Sequence, residues 1–160
     1  VYGEWSRQRA FEQATLMFKR YPQATLVWSA NDEMALGAMQ ALNGSGRTPG
    51  KEVLFSAINS SPEVLQARLQ GRISALVAGH FTLGGWAMVL LHDDASGVDI
   101  QRHGGRERQV RLFQLIDRPQ AQRLLDLRNH EGDGVNFRAL SAQGKPAAYQ
   151  YPFSLKMLWK

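Results

Sequence analysis

At 160 residues, with 44% apolar and 21% charged side chains, the chain has the size and composition of one globular domain with a buried core, which excludes wholesale disorder. It has no cysteine, which excludes disulfides and any thiolate nucleophile or metal ligand. The net charge of +5 owes much to arginines after residue 100. Glu107, Asp117, Asp126, Glu131 and Asp133 interrupt that series without any nucleic-acid-binding motif, so a solvated mixed-charge surface and no nucleic-acid partner are expected.

From Ser6 to Arg20, apolar or small residues at Ala10, Phe11, Ala14, Met17 and Phe18 have the spacing of one helix face. Ser6 is the predicted N-cap and Tyr21-Pro22 the stop. Ala24 to Ser29 reads as a buried strand. Asp32 to Leu42 reads as a helix, capped by Asn31 or Asp32 and ended by Asn43-Gly44-Ser45-Gly46. Glu52 to Ile58 is the next strand, and Pro62 to Gln70 the next helix, with Ser61 as cap and Gly71 past its end. Ile73 to Val77 is a third short strand. Helices alternating with strands indicate an α/β fold with a parallel sheet and crossover helices. Such sheets receive ligands at the carboxyl ends of their strands, where Asn31 falls.

After Gly79 the pattern changes. Thr82 to His92, with Gly84-Gly85 near its start, is apolar on most sides and reads as a closely packed helix. Its apolar run from Trp86 to Leu91 is too short to span a bilayer. His92-Asp93-Asp94 reads as a solvated helix end and His92 to Gly105 as a loop. Val110 to Ile116 has the composition of a strand, and Asp117-Arg118-Pro119 starts a short helix through Leu127. Residues 129 to 149 read as an irregular surface excursion, and Tyr151-Pro152-Phe153-Ser154-Leu155 as apolar anchors for the tail. Val1 begins within domain-like sequence, without the basic and apolar regions of a secretory leader, so the chain is expected to be part of a longer polypeptide.

Catalytic patterns are weak. His80, His92, His103 and His130 lack the i, i+4 spacing of a helical zinc site, and Gly44-x-Gly46 lacks the Lys-Ser or Lys-Thr of a phosphate-binding loop. Ser29, Ser60 and Ser61 lack a Gly-x-Ser-x-Gly context. No catalytic residue, metal ligand or cofactor is expected.

Ala30-Asn31-Asp32-Glu33-Met34-Ala35-Leu36-Gly37-Ala38 resembles the Asn-Asp-x-Met-Ala-x-Gly-Ala segment of type I periplasmic solute-binding proteins. These are the ribose- and galactose-binding group, whose relatives include autoinducer receptors and the effector domains of lactose-repressor-like regulators. Gly3-Glu4-Trp5-Ser6-Arg7 resembles their Asp-aromatic-Asp-Arg segment, with Trp5 as far before Asn31 as the family's cleft aromatic stands before its ligand-binding Asn. Leu54 to Glu63 resembles the Val-Val-Gly-Phe-Asp-x-x-Pro-Glu segment, with Asn59 at the ligand-binding Asp. Leu76-Val77-Ala78-Gly79-His80 resembles Thr-Ile-Ala-Gln, with Gly79 at the ligand-binding Gln.

The resemblance implies that Trp5 stacks on the C–H face of a sugar ring; apart from it, Trp5 reads as a hydrophobic staple for the first helix. It implies that Asn31 hydrogen-bonds hydroxyls in both senses, with Asp32 left to capping and backbone support. Asn59 lacks the family's charge and grips a sugar less strongly or differently. His80 either takes over part of the missing Gln's task or is a structural hydrogen-bonder.

Gly79-His80-Phe81, Gly84-Gly85-Trp86-Ala87, Val135-Asn136-Phe137-Arg138-Ala139-Leu140-Ser141 and Tyr151 to Leu155 resemble a branch of Gram-negative receptors with a C-terminal extension. The implied architecture is the C-terminal half of a two-lobed type I fold. Residues 1–79 would be part of the C-terminal lobe, 80–110 a crossover helix and loop belonging to the N-terminal lobe, and 111–160 the return segment and extension. The expected protein is a non-enzymatic periplasmic solute-binding protein that takes a small polar, sugar-like ligand for ABC-type transport or membrane-sensor signalling. Its expected partners are an inner-membrane permease or sensor protein and the missing N-terminal lobe or a second chain. The alternatives are the effector domain of a lactose-repressor-like regulator and an enzyme on a similar open sheet.

Overall fold

The computed structural model describes residues 1–129 and 135–159. His130, Glu131, Asp133 and the start of the expected surface excursion lie outside the described residues. The elements in chain order are α1 (Arg7–Arg20), β1 (Leu26–Trp28), α2 (Asp32–Gly44), β2 (Leu54–Ile58), α3 (Pro62–Leu69), β3 (Ala75–Ala78), α4 (Leu83–Ala95), β4 (Gln114–Leu115) and α5 (Arg118–Asn129). They form two compact units. The first is Val1–Ala78 with Leu115–Asn129, and the second is Gly79–Gln114 with the described residues after 134.

In the first unit the sheet order is β1-β2-β3-β4, with β1, β2 and β3 mutually parallel. Neighbouring parallel strands in sequence order, joined by right-handed crossovers, put their helices on one face. The register sets Val27, Phe55, Ala57, Leu76 and Ala78 on a common face, and the last four are buried. The opposite face carries Leu26, Trp28 and Leu54, all exposed.

Ser6 caps α1 by accepting from the Arg9 N–H, as its position predicts. The helix then packs on α2 through its buried Ala10, Ala14 and Phe18. Gly37 allows that approach, because a Cβ there would overlap the Arg7 carbonyl.

Two strand expectations change. β1 was expected to be buried, but Leu26 is 66% and Trp28 69% exposed, because among the described residues β1 pairs only with β2 and its far face is uncovered. The strand expected over 110–116 shrinks to two residues, β4. Its following residue, Ile116, donates its N–H to the Leu76 carbonyl, while Val110 and Phe113 stay exposed.

The second unit is built around α4. Trp86, Val89, Leu112, Ala142 and Tyr151 form its core, with Phe137 edge-on to Trp86 at 5.8 Å. Gly85 lies directly beneath the Phe137 ring, where a Cβ would collide with it.

Asp93 corrects the expected solvated helix end. It is fully buried, because the C-terminal segment folds over α4 and supplies three donors: Ser141 Oγ (2.5 Å), Tyr151 OH (2.6 Å) and the Ala142 N–H (2.7 Å). Burial alone would push the Asp93 carboxyl up, but these hydrogen bonds outweigh it and hold the group below the usual carboxylate range. Tyr151 and Leu155 are buried, as expected of anchors for the tail.

Asp93→Ala leaves three buried donors unpaired, and we expect a loss of about 2–4 kcal/mol in urea unfolding at neutral pH. A carboxyl held low in the folded state stabilises at pH above its unfolded value and loses that contribution as pH falls through its folded value. The deficit of the variant should therefore narrow as the pH falls below the ordinary carboxylate range. Limited proteolysis should cut the variant first in the segment after residue 140.

Candidate functional site

The carboxyl ends of β1 and β2 and the amino ends of α1, α2 and α3 meet at one end of the first unit. Asn31 ends the extended chain after β1 and is the N-cap of α2, its Oδ1 accepting from the Met34 N–H at 2.8 Å. Its Nδ2 reaches the Trp5 carbonyl at 3.4 Å, which links α2 to the turn before α1.

Asp32 does not cap α2 in the role expected of it. Its Oδ1 accepts from the Glu33 N–H at 3.0 Å and from Asn59 Nδ2 at 2.9 Å, and its Oδ2 accepts from the Ser61 N–H at 3.1 Å. Asn31 supplies the cap because its backbone is extended, at φ −148°, which aims its side chain back at the first turn. Asp32 is then free to clamp the loop between β2 and α3.

Burial would push the Asp32 carboxyl up. Hydrogen bonds from the Asn59 amide and the N–H groups of Ser61 and Glu33 outweigh burial and hold it below the ordinary range. The amino ends of α2 and α3 add favourable partial positive charge. Ser61 stands before α3 but makes no side-chain cap, its N–H being committed to Asp32.

Two of the sequence-predicted residues have left-handed backbone. Trp5 has φ +58°, following Glu4 at +50°, and Asn59 has φ +105°. Such conformations cost non-glycine residues about 1–3 kcal/mol each and persist only where surroundings hold them. At Trp5 the hold is the Ser6 N–H to the Gly3 carbonyl (2.9 Å) together with Asn31. At Asn59 it is the Asn59 N–H to the Val77 carbonyl (2.9 Å) together with Asp32.

The Trp5 side chain is 70% exposed, and its indole presents a flat apolar surface beside the buried Asn31. Asn59 gives one amide hydrogen to Asp32, which leaves its carbonyl oxygen and second N–H for another group.

The structure therefore joins Asn31 to the Trp5 carbonyl, and Asn59 to Asp32, the neighbour of Asn31 in sequence. His80 is not joined to them. It belongs to the second unit, in a 3-10 turn after Gly79, exposed and with its ring 5.7 Å from that of Phe113. Gly79, at φ +140°, admits no side chain without overlapping the Leu112 carbonyl.

Arg7 was not foreseen. Its guanidinium forks onto Glu33 (2.8 and 3.0 Å) and reaches Glu63 at 2.7 Å, tying together the amino ends of all three helices. Partners 26 and 56 residues away leave no local signal in the sequence. Among the described residues, no group of three or more acidic or histidine side chains could hold a metal, and no helix is long and apolar enough to cross a membrane.

A family model described as a periplasmic binding protein domain matches residues 1–97. A crystal structure of a periplasmic sugar-binding protein from Pseudomonas fluorescens superposes with a TM-score of 0.96 at 59% identity, covering 100% of this chain and 49% of that one. A Mycobacterium smegmatis structure in complex with β-D-fucofuranose is 28% identical, with a TM-score of 0.63, over 77% of this chain and 39% of that one. The galactofuranose-binding protein of Escherichia coli (strain K12) is 36% identical over 52 residues, which is 32% of this chain and 16% of that protein. The chain thus spans about half the length of the Pseudomonas fluorescens protein.

The Asp32 clamp yields a prediction. Asn59→Asp puts a second carboxylate where an amide now donates at 2.9 Å. We expect it to destabilise the protein by about 1–3 kcal/mol at pH 7 rather than to restore a family-like acid. The penalty should fall as pH drops and one of the two carboxyls takes up a proton. Thermal unfolding of both proteins from pH 7 to pH 3 measures this.

Proposed function

We propose, from the premise that this chain belongs to the periplasmic binding protein domain family, that it forms one side of a sugar-binding cleft in a periplasmic solute-binding protein. The observation that carries this reading is the linked set Trp5, Asn31, Asp32 and Asn59 at the carboxyl ends of two parallel strands. An exposed indole excludes water from the apolar face of a sugar ring, and the two amides give and accept hydrogen bonds around its rim. In this reading the protein binds its ligand without chemical change, as its family of binding proteins does.

The ligand class we infer is a monosaccharide in its furanose form. The relatives that bind galactofuranose and fucofuranose support it. Asn59 bears on the hydroxyl pattern of the ligand and not on its ring form. It offers a single neutral carbonyl where an ionised carboxylate would offer two charged acceptors, which favours a ligand presenting one hydroxyl rather than a vicinal pair at that point.

In this reading residues 1–79 belong to the C-terminal lobe, 80–110 to the N-terminal lobe and 111–160 to the return segment and extension. The two compact units, with chain crossings after Ala78, Gln114 and Asn129, are consistent with that division. Closure of two lobes over the sugar would be read by an inner-membrane permease or sensor, since only the closed form need be recognised.

Calorimetric titration of furanose and pyranose sugars tests this reading, on the chain joined to the part of the Pseudomonas fluorescens protein that it does not cover. A furanose should bind, and Trp5→Ala should weaken it by about 10-fold or more. Asn31→Ser keeps a capping side chain but removes the amide donor, and should weaken binding about 10-fold, with a small loss of stability from the lost bond to the Trp5 carbonyl. Pyranose binding with furanoses rejected would overturn the ligand class, and unchanged affinity in both variants would overturn the site.

A further inference from the structure

We propose that Arg7 is a positioning residue of the sugar site: its guanidinium sets where the Trp5 indole stands relative to Asn31 and Asn59, and thereby sets affinity for the sugar. The inference rests on the proposed cleft and adds to it a side chain that makes no contact with the sugar itself. Three observations carry it. The first is where the charges stand. Arg7 is the first residue of α1, where a cation opposes the partial positive charge of the helix start, and α1 has no acidic side chain in its first turn. Its own helix therefore gives no reason for the guanidinium. Glu33 and Glu63 are the second residues of α2 and α3, where a carboxylate is favoured.

The second is what those three helix starts carry. Trp5 stands two residues before Arg7, Asn31 two residues before Glu33 and Asn59 four residues before Glu63. Arg7 donates to Glu33 through Nε at 2.8 Å and Nη2 at 3.0 Å, and to Glu63 through Nη2 at 2.7 Å. One side chain thus links the three segments that each present a candidate sugar contact. Planar forked donors make this possible, and a lysine ammonium could not hold both carboxylates in the same geometry.

The third is how Arg7 and Trp5 are held. Gly37 lies one turn after Glu33 on α2, and a Cβ there would overlap the Arg7 carbonyl. Backbone and side chain of Arg7 therefore both rest on one face of α2. Trp5, by contrast, keeps its φ of +58° through the Ser6 N–H on the Gly3 carbonyl and a long bond, 3.4 Å, from the Asn31 amide. Neither bond grips the indole, which is 70% exposed. The direction of the ring then depends on where α1 begins, and the fork decides that.

Without the fork, the free protein samples other placements of Trp5 and must order them on binding, so affinity falls while the fold persists. The Arg7, Glu33 and Glu63 side chains are 37%, 43% and 54% exposed, so salt weakens their attraction. A neutral sugar forms no ion pair of its own. Salt dependence of its binding therefore reports on charges within the protein.

Calorimetric titration with galactofuranose tests the proposal on the joined protein, the chain carrying the part of the Pseudomonas fluorescens protein that it does not cover. Arg7→Met keeps an unbranched stem and removes the fork, and should weaken binding about fivefold with the melting temperature nearly unchanged. Glu63→Gln leaves the contact between Arg7 and Glu33 in place, and should weaken binding about twofold. Raising NaCl from about 0.05 M to about 0.5 M should weaken binding to the unaltered joined protein about threefold and leave that of Arg7→Met unmoved. In a Trp5→Ala background, Arg7→Met should cost nothing further. Unchanged affinity in Arg7→Met would overturn the proposal and leave the site reading standing. So would a loss that adds in full to that of Trp5→Ala, or one as large at the higher salt as at the lower, which would assign Arg7 to packing. Trp5→Ala without effect would overturn the site reading, and this inference with it.

Discussion

A buried carboxylate at the start of α2 ties together the ends of two strand-helix units. Asp32 accepts from the Asn59 amide and the Ser61 N–H across the sheet, and from its own neighbour Glu33. Without it, the loop between β2 and α3 would lose the partner that holds Asn59 at a left-handed φ. The network also fixes what Asn59 can offer a ligand, because one amide hydrogen is already spent on Asp32. Asn31 is constrained in the same way, its oxygen on the Met34 N–H and its nitrogen on the Trp5 carbonyl. If these residues bind the ligand as proposed, the hydrogen bonds at the starts of two helices preorganise them, which lowers the ordering cost on binding.

Among the described residues, three of the four non-glycine positions with φ above zero, Glu4, Trp5 and Asn59, lie around this network, and the fourth, Phe153, is in the second unit. Trp5 and Asn59 each have φ above zero, and both are held by groups from other elements. Strain of that kind is maintained by tertiary contacts and concentrates at ligand sites. Arg7 reinforces the same end of the sheet by bridging Glu33 and Glu63, although its exposed surroundings make its contribution to stability small.

The legible parts of the chain are those governed by neighbours in sequence. The period of Ala10, Ala14 and Phe18, the Ser6 cap and the apolar runs that become β1, β2 and β3 are local properties. So is the arrival of Asn31 at a strand end. The roles of Asp32 and Asp93 were not legible, because their partners lie 27 and 29 residues away in one case and 48 to 58 in the other. His92-Asp93-Asp94 looks polar whether or not a later segment covers it. β1 reads as buried for a related reason: an apolar run records the environment that the strand is made for, and the described chain covers neither its outer edge nor its second face. Trp5 and Asn59 gained their significance from resemblance, since an indole before a helix or an amide after a strand has commoner uses.

The central claim is that Trp5, Asn31 and Asn59 act as one ligand site, set by Asp32. Two-dimensional NMR of the joined protein during a titration with galactofuranose tests it directly, by following the Trp5 indole N–H and the side-chain amides of Asn31 and Asn59. The account predicts that all three signals move together and saturate at the same sugar concentration. Sugar binding that leaves the two side-chain amides unmoved would contradict it.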